Sequence, residues 1–255
     1  MKRPGGPSIT IEAGRRFLTD LIREEVDWWN TPQSLGDQPP PLQKPASADA
    51  VRVALPGRDA WRIPACDLQE AIARRESRRR FRPEPLSLAE TAFLLWATQG
   101  VRKAVSGDVV LRTVPSAGNR HPFETYLAAL RVDGLEPAVY RYLPLDHALV
   151  LERRHEDLAA ALAAAAHGQR FAAEGAAVFA WTALPARTEW RYAEASCKVI
   201  ALDAGHVCQN LYLACEAIRA GTCAIAAYRQ DLMDALLGVD GSDEFTVYLA
   251  PVGKV

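Results

Sequence analysis

"RTVPSAGNRHPFETYL", Arg112 to Leu127, is the stretch on which the fold reading turns. It sets Pro115, Ser116, Ala117, Gly118 and Asn119 in a tight loop, closes the loop with Pro122, and continues into an apolar, strand-like run. Glycine and asparagine enter left-handed backbone at low cost, and small residues let the main chain come close to another group. A loop of that make directly before buried sheet reads as a place where backbone approaches a ligand.

The pattern extends outward on both sides. Strand signals follow at Thr125 to Val132, Ala138 to Tyr142 and Leu149 to Arg153, separated by the turn sequences "DG" and "PLD", which predicts an antiparallel meander. Upstream, Asp67 caps a short helix through Arg75. "SLAE", Ser87 to Glu90, is a capping box that opens a helix through Trp96, ending at Gly100. Downstream the chain reads as a helix at Glu156 to His167, a strand at Ala177 to Thr182 and a long helix from Leu202 to Ala220 stopped by Gly221. A strand at Thr222 to Ala227, a helix at Gln230 to Leu237 and a strand at Phe245 to Ala250 complete it. Helices and strands interleave without a regular βαβ rhythm, so the class is α+β.

Before this domain the composition changes. A helix is expected from Ile9 to Trp29, with Leu18, Leu21, Ile22 and Val26 on one face. Pro32, Pro39, Pro40, Pro41, Pro45 and Pro56 then disallow a continuous helix, so Asn30 to Arg62 reads as an extended arm that wraps this subunit or another. The division is an amino-terminal helix and proline-rich arm over 1–65 and a main domain over 66–255.

Composition excludes several classes. A net charge of −1 gives no global field for nucleic acid or membrane, and no segment offers eighteen uninterrupted apolar residues. Lys2 and Arg3 are not followed by an apolar run, so no export signal is expected. The five cysteines lack CxxC spacing and read as reduced thiols, which suits the cytoplasm. His206 and Cys208 stand at i and i+2 and face apart on a helix, so no metal site is expected. Phosphate-loop, dinucleotide, zinc-protease and nucleophile-elbow motifs are absent.

What remains is "RRESRRRF", Arg74 to Phe81, where several guanidinium forks and the Ser77 hydroxyl could meet one anionic ligand. An ordinary solvated charge run is the alternative. Arg75, Ser77, Arg79 and Phe81, followed by Pro115 to Pro122, resemble the pattern of the flavin-dependent nitroreductase superfamily. "LSLAETAFLLWATQGVR", "RTVPSAGNRHPFETYL", "VYRYLP" and "LDAGHVCQNLYLA" are more closely similar to the SagB/ThcOx-type dehydrogenases, which include azoline oxidases. The resemblance covers Leu68 to the carboxyl terminus.

That resemblance implies a nitroreductase-like fold, with a mostly antiparallel central sheet flanked by helices, and a homodimer with FMN at its interface. It places Arg75 and Arg79 on the flavin phosphate and ring edge and Ser77 on the phosphate or ribityl chain. Pro115, Ser116, Ala117 and Asn119 lie along the ring, and Ala226 and Ala227 hold the segment whose backbone amides meet the ring. Lys254 is within reach of the phosphate. Ala226 and Ala227 replace the glutamate and glycine of many relatives. Azoline-oxidising relatives carry lysine and tyrosine side by side where this chain has Arg191 and Tyr192. An arginine keeps its proton, so it orients or stabilises an anion but is no base, while Tyr192 can be acid or base. His121 and Glu124 stand beside the loop; Glu124 reads as structural, and for His121 a substrate contact and a structural role are both open.

Three functions follow as expectations. One is an FMN-dependent dehydrogenase acting on an azoline-like or other peptide-derived substrate. The second is an NAD(P)H-dependent reductase of nitroaromatics or quinones, and the third a flavin-free scaffold. The partners expected are a small-molecule or peptide substrate and a second copy of the chain.

Overall fold

The computed structural model describes residues 10–106 and 109–255; Lys2, Arg3 and Ile9 lie outside the described residues. In chain order the elements are α1 (Ile11–Leu18), α2 (Ile22–Glu25), α3 (Pro32–Leu35), β1 (Arg52–Ala54), α4 (Leu68–Arg74), α5 (Leu88–Gln99), β2 (Val101–Ser106), β3 (Val109–Arg112), β4 (Phe123–Ala129), β5 (Ala138–Leu143) and β6 (Ala148–Arg153). They continue as α6 (Leu158–Ala165), β7 (Ala177–Ala183), α7 (Ala186–Tyr192), α8 (Ser196–Ala217), β8 (Ala220–Thr222), α9 (Gln230–Leu237) and β9 (Phe245–Lys254).

Seven strands form one sheet in the order β1-β6-β5-β4-β7-β9-β8, each neighbour antiparallel. The expected meander is its β4-β5-β6 portion. Both faces are covered. On β7, Ala177, Phe179 and Trp181 point to one core with Leu94 and Leu95 of α5 and Val207 and Leu211 of α8. Val178 and Ala180 point the other way, to Leu158 and Leu162 of α6 and Leu236 and Leu237 of α9. Successive side chains leave a strand on opposite faces, so a strand covered on both sides reads as a continuous apolar run. Burying a side chain such as Phe179 stabilises by about 2–3 kcal/mol.

Local chemistry accounts for the helix boundaries. The Ser87 hydroxyl accepts the Glu90 N–H at 3.2 Å, and the Glu90 carboxylate accepts the Ser87 N–H at 3.0 Å, which starts α5 as expected. Asp67 caps α4 through the Glu70 N–H. The single helix expected from Ile9 to Trp29 is two short ones, because Thr19 is extended and its N–H turns back to the Arg16 carbonyl. Leu18 and Leu21 are exposed, and Val26 is the buried member of the expected apolar face. The long helix begins six residues earlier than expected, at Ser196, and the β2-β3 hairpin was not expected.

Past the left-handed Gly36 the described residues of the arm lack α-helix, and between Pro41 and Pro45 the arm is held by arginines. Arg187 Nε donates to the Pro41 carbonyl at 2.9 Å, Arg112 to Leu42 at 2.6 Å, and Arg141 to Lys44 at 2.8 Å and Pro45 at 3.1 Å. All three arginines are buried. Glu124 ties two of them together, accepting from Arg187 at 2.5 Å, the Lys44 N–H at 2.9 Å and Arg141 at 3.4 Å, while Arg112 donates to Gln99 at 2.8 Å. Burial alone would raise the Glu124 pKa; the Arg187 and Arg141 guanidiniums outweigh it and hold the carboxyl below its usual range. The Lys44 ammonium meets Glu244 at 2.5 Å. Beyond this clamp the arm adds β1 to the sheet edge and buries Trp61 against Phe93 and Trp96 of α5. Glu124, read from sequence as structural, is the centre of the arm clamp.

Candidate functional site

The basic run after α4 passes alongside β8 and β9 without forming a strand of its own. Ser77 bridges Thr222 in parallel, the Arg78 N–H donates to the Thr222 carbonyl at 2.9 Å and the Arg82 N–H to Lys254 at 2.9 Å. Gly221 and Gly253 permit this approach: a Cβ on the first would lie 2.7 Å from Arg78 Cβ, and on the second 3.0 Å from Phe81 Cβ. Arg75 lies over the Tyr212 ring at 5.3 Å and Arg79 over Phe171 at 5.8 Å, with no carboxylate partner for either among the described residues. The Ser77 hydroxyl is 3.1 Å from the Tyr212 hydroxyl, which accepts the Ala224 N–H at 2.9 Å. A groove of about 510 Å³ runs along residues 76–82 to Val255.

The adjoining 223–228 segment is not the strand expected there. The Ile225 N–H pairs with Leu249 at 2.7 Å, after which the chain leaves the sheet. Ala226 and Ala227 are exposed, and their N–H groups make no hydrogen bond among the described residues. The Ala227 carbonyl accepts from Gln169, two residues before the Phe171 ring beneath Arg79. Free guanidiniums, a hydroxyl and two free amides thus lie in one neighbourhood.

The Pro115 to Pro122 loop stands at the other end of α8. Gly118, Asn119 and His121 have φ of 56°, 58° and 47°, three left-handed residues within four. Internal bonds hold them there. The Ser116 hydroxyl donates to Asp203 at 2.6 Å and accepts the His121 N–H at 2.8 Å, and the Ala117 N–H reaches the same carboxylate at 3.2 Å. Asn119 donates to the Val110 carbonyl at 3.0 Å and its amide oxygen is 2.8 Å from His121 Nε2. Ser116 and Asn119 therefore spend their polar groups on shaping the loop. Burial pushes the Asp203 carboxyl above its usual value against these donors.

His121 is buried, and burial together with Arg112, Arg120 and Arg187 pushes its pKa down to about 3, so it is neutral near pH 7. It belongs to the loop's frame.

Arg191 and Tyr192 end α7 directly against this loop. A Cβ on Gly118 would lie 2.7 Å from Arg191 Cδ and 2.8 Å from the Tyr192 hydroxyl. Ala193, which follows, has φ 42° and ψ −127°, a strained backbone for a residue with a Cβ.

Among the sequence-predicted residues, then, Arg75, Ser77, Arg79, Ala226 and Ala227 gather at the carboxyl-terminal end of α8. Pro115, Ser116, Ala117, Asn119, Arg191 and Tyr192 gather at its amino-terminal end. Asp203 marks one group and Tyr212 the other; nine residues of helix separate them by about 13.5 Å. Lys254 joins neither: its ammonium pairs with Glu90 and donates to the Ile218 carbonyl at 2.9 Å. Asp203, Tyr212 and Arg120 were not singled out from sequence, although the first two stand in the quoted "LDAGHVCQNLYLA". No group of three metal-ligating side chains and no helix able to span a membrane occurs among the described residues.

The sequence pattern of the Nitroreductase family matches residues 72–254. A nitroreductase-type protein of Methanocaldococcus jannaschii is 31% identical over 206 residues, 81% of this chain and 98% of the relative. Among solved structures, a nitroreductase-type protein of Ralstonia eutropha superposes with a TM-score of 0.67 at 24% identity over 86% of this chain and 97% of its own. A chain of the Escherichia coli microcin synthetase McbBCD complex with truncated pro-MccB17 bound gives 0.60 at 15% identity, covering 98% of both chains. A nitroreductase-type structure from Desulfovibrio desulfuricans in complex with FMN gives 0.50 at 17% identity over 74% of this chain and 87% of its own.

Proposed function

The chain belongs to the nitroreductase family, and from that premise we propose that it is an FMN-dependent oxidoreductase whose flavin lies between two copies of the chain. The observation that carries this reading is the pair of unneutralised guanidiniums, Arg75 and Arg79, beside Ser77 and the free amides of Ala226 and Ala227. An anionic, planar, acceptor-rich cofactor suits that donor set, and the Arg78 Nε buried there without a partner suits it too. Arg75 and Ser77 would hold the phosphate end, and Arg79 with the two amides the polar edge of the ring. FMN supplies two-electron hydride chemistry when bound.

The reading as a dimer is supported by the two-ended arrangement of the expected site residues. A single copy puts the arginine groove and the Pro115 loop at opposite ends of α8, whereas a second copy related by a two-fold axis brings the loop of one beside the groove of the other. α8 has the face for it: Ala201, Leu202, Gly205 and Gln209 are exposed, and nothing lies within 4 Å of a Cβ placed on Gly205. On that arrangement Pro115 to Asn119 would lie beside the flavin, and Arg191 and Tyr192 would face the substrate. Tyr192 gives or takes the proton at the reacting atom, and Arg191 steadies the charge that develops there.

For the reaction itself we favour dehydrogenation of an azoline-like or peptide-derived substrate, supported by the quoted SagB-type motifs and by the similarity to the microcin synthetase chain over almost its whole length. The second reading, NAD(P)H-dependent reduction of a nitroaromatic or quinone, is favoured by one observation: Arg191 occupies the place of the lysine that serves azoline oxidation. Anaerobic mixing of the FMN-loaded protein separates them. The favoured reading predicts bleaching of the flavin band by a thiazoline-containing peptide and little by NADPH; rapid bleaching by NADPH alone reverses the choice.

A further inference from the structure

Side chains from two neighbouring elements converge on one glycine. Arg120 Nε donates to the Gly118 carbonyl at 3.1 Å, while Arg191 and the Tyr192 hydroxyl occupy the space where a Gly118 side chain would be. Neither guanidinium is neutralised. Among the described residues Arg120 has the Trp190 ring for company at 4.7 Å and Arg191 the Tyr192 ring at 5.8 Å, and no carboxylate pairs with either. Arg23 of α2 also lies over the Tyr192 ring, at 5.9 Å, but it has its own counter-ion in Asp20 at 2.9 Å, so the unpaired charges are those of Arg120 and Arg191. Like charges gathered without a counter-ion repel each other, so a chain keeps them together where something anionic visits. The same repulsion shows in Arg120, whose pKa is lowered by burial and by Arg191.

The surroundings narrow the class. Two guanidiniums present paired N–H donors suited to the two oxygens of a carboxylate, and the phenol of Tyr192 adds a third donor. Trp190 and Tyr192 offer flat faces for a conjugated group, and Gly118 leaves room for it to lie against main chain. Arg75 and Arg79 stand at the far end of α8, so this second basic centre is not the one assigned to the cofactor's phosphate. We infer that Arg120 and Arg191 form a carboxylate-reading site above Gly118, and that the substrate presents a carboxylate beside its reacting ring. The inference rests on the reading of this loop as the substrate side of the flavin site.

Benzoate and benzamide, equal in shape and different in charge, test it by isothermal titration on the full-length protein, with FMN uptake scored on the same samples. Because each charge-assisted hydrogen bond contributes more than a neutral one, benzoate is expected to bind at least about tenfold more tightly than benzamide and to weaken as salt rises. The joint variant Arg120→Gln with Arg191→Gln should bring the two affinities together, and Arg120→Lys with Arg191→Lys should keep most of the preference. Equal affinities in the wild type, or a preference unchanged in the glutamine variant, overturn the inference while FMN uptake leaves the oxidoreductase reading intact. A chain that discriminates benzoate through these arginines and takes up no FMN does the reverse.

Discussion

His121 shows what the loop demands of single residues. Its ring is buried among Arg112, Arg120 and Arg187, with a pKa of about 3 against 6.5 in the unfolded chain. Below pH 6.5 the unfolded chain therefore takes up a proton that the folded chain refuses, and stability falls as pH drops toward 3. The loss amounts to about 1.4 kcal/mol per pH unit at most. His121→Gln, which can keep the bond to Asn119, should flatten the acid side of a plot of melting temperature against pH between 6 and 4; an unchanged slope would mean that His121 titrates normally. Gly118→Ala meets a φ of 56° and two occupied positions. Left-handed backbone alone costs about 1–2 kcal/mol for an alanine, and the displaced Arg191 and Tyr192 should lower turnover further. A thermal melt and a rate measurement on that variant check both. The residue types of the loop were readable because glycine and asparagine mark left-handed positions. The use made of Ser116 was not, since its partner Asp203 is 87 positions away and a sequence carries no local sign of so distant a bond.

The elements were legible in proportion to the locality of their causes. The capping box at Ser87 and Glu90 is a contact over three residues, so α5 could be read directly, and Ser87→Ala should cost about 1 kcal/mol in chemical denaturation. The arm behaves differently. Its prolines announced an extended chain, but neither β1, paired through three residues at a sheet edge, nor the clamp of Arg112, Arg141 and Arg187 on its carbonyls has a local signature. Removing Arg187 strands Glu124 as a buried, half-paired charge. Arg187→Met is expected to destabilise by about 3–5 kcal/mol, read as a fall in the denaturation midpoint. A chain begun at residue 47 should lose more still, because several arginine donors then face no carbonyl; melting at the full-length temperature would show that the arm is ornamental.

At the scale of the whole molecule the two half-sites at the ends of α8 give the fold its functional reading. The α+β class and the antiparallel meander could be read from the chain, because each is a pattern within a few residues, whereas the flanked sheet and the expected site residues were supplied by the resemblance to a known family. The distance between the half-sites could not be read, because it depends on how far the helix runs between Asp203 and Tyr212 and on which end each segment meets. If a partner copy closes the site, Leu202→Glu, placed on the exposed face of α8, should give a monomer in analytical ultracentrifugation that has lost its flavin. A monomer with flavin retained would place the whole cofactor within one chain. The most direct test is the visible absorption spectrum of the purified protein, with the cofactor released and identified, repeated on the joint variant Arg75→Ala with Arg79→Ala. A flavin spectrum from FMN in the wild type and its loss in the variant is the predicted result; a colourless wild type that also fails to take up added FMN would contradict the account.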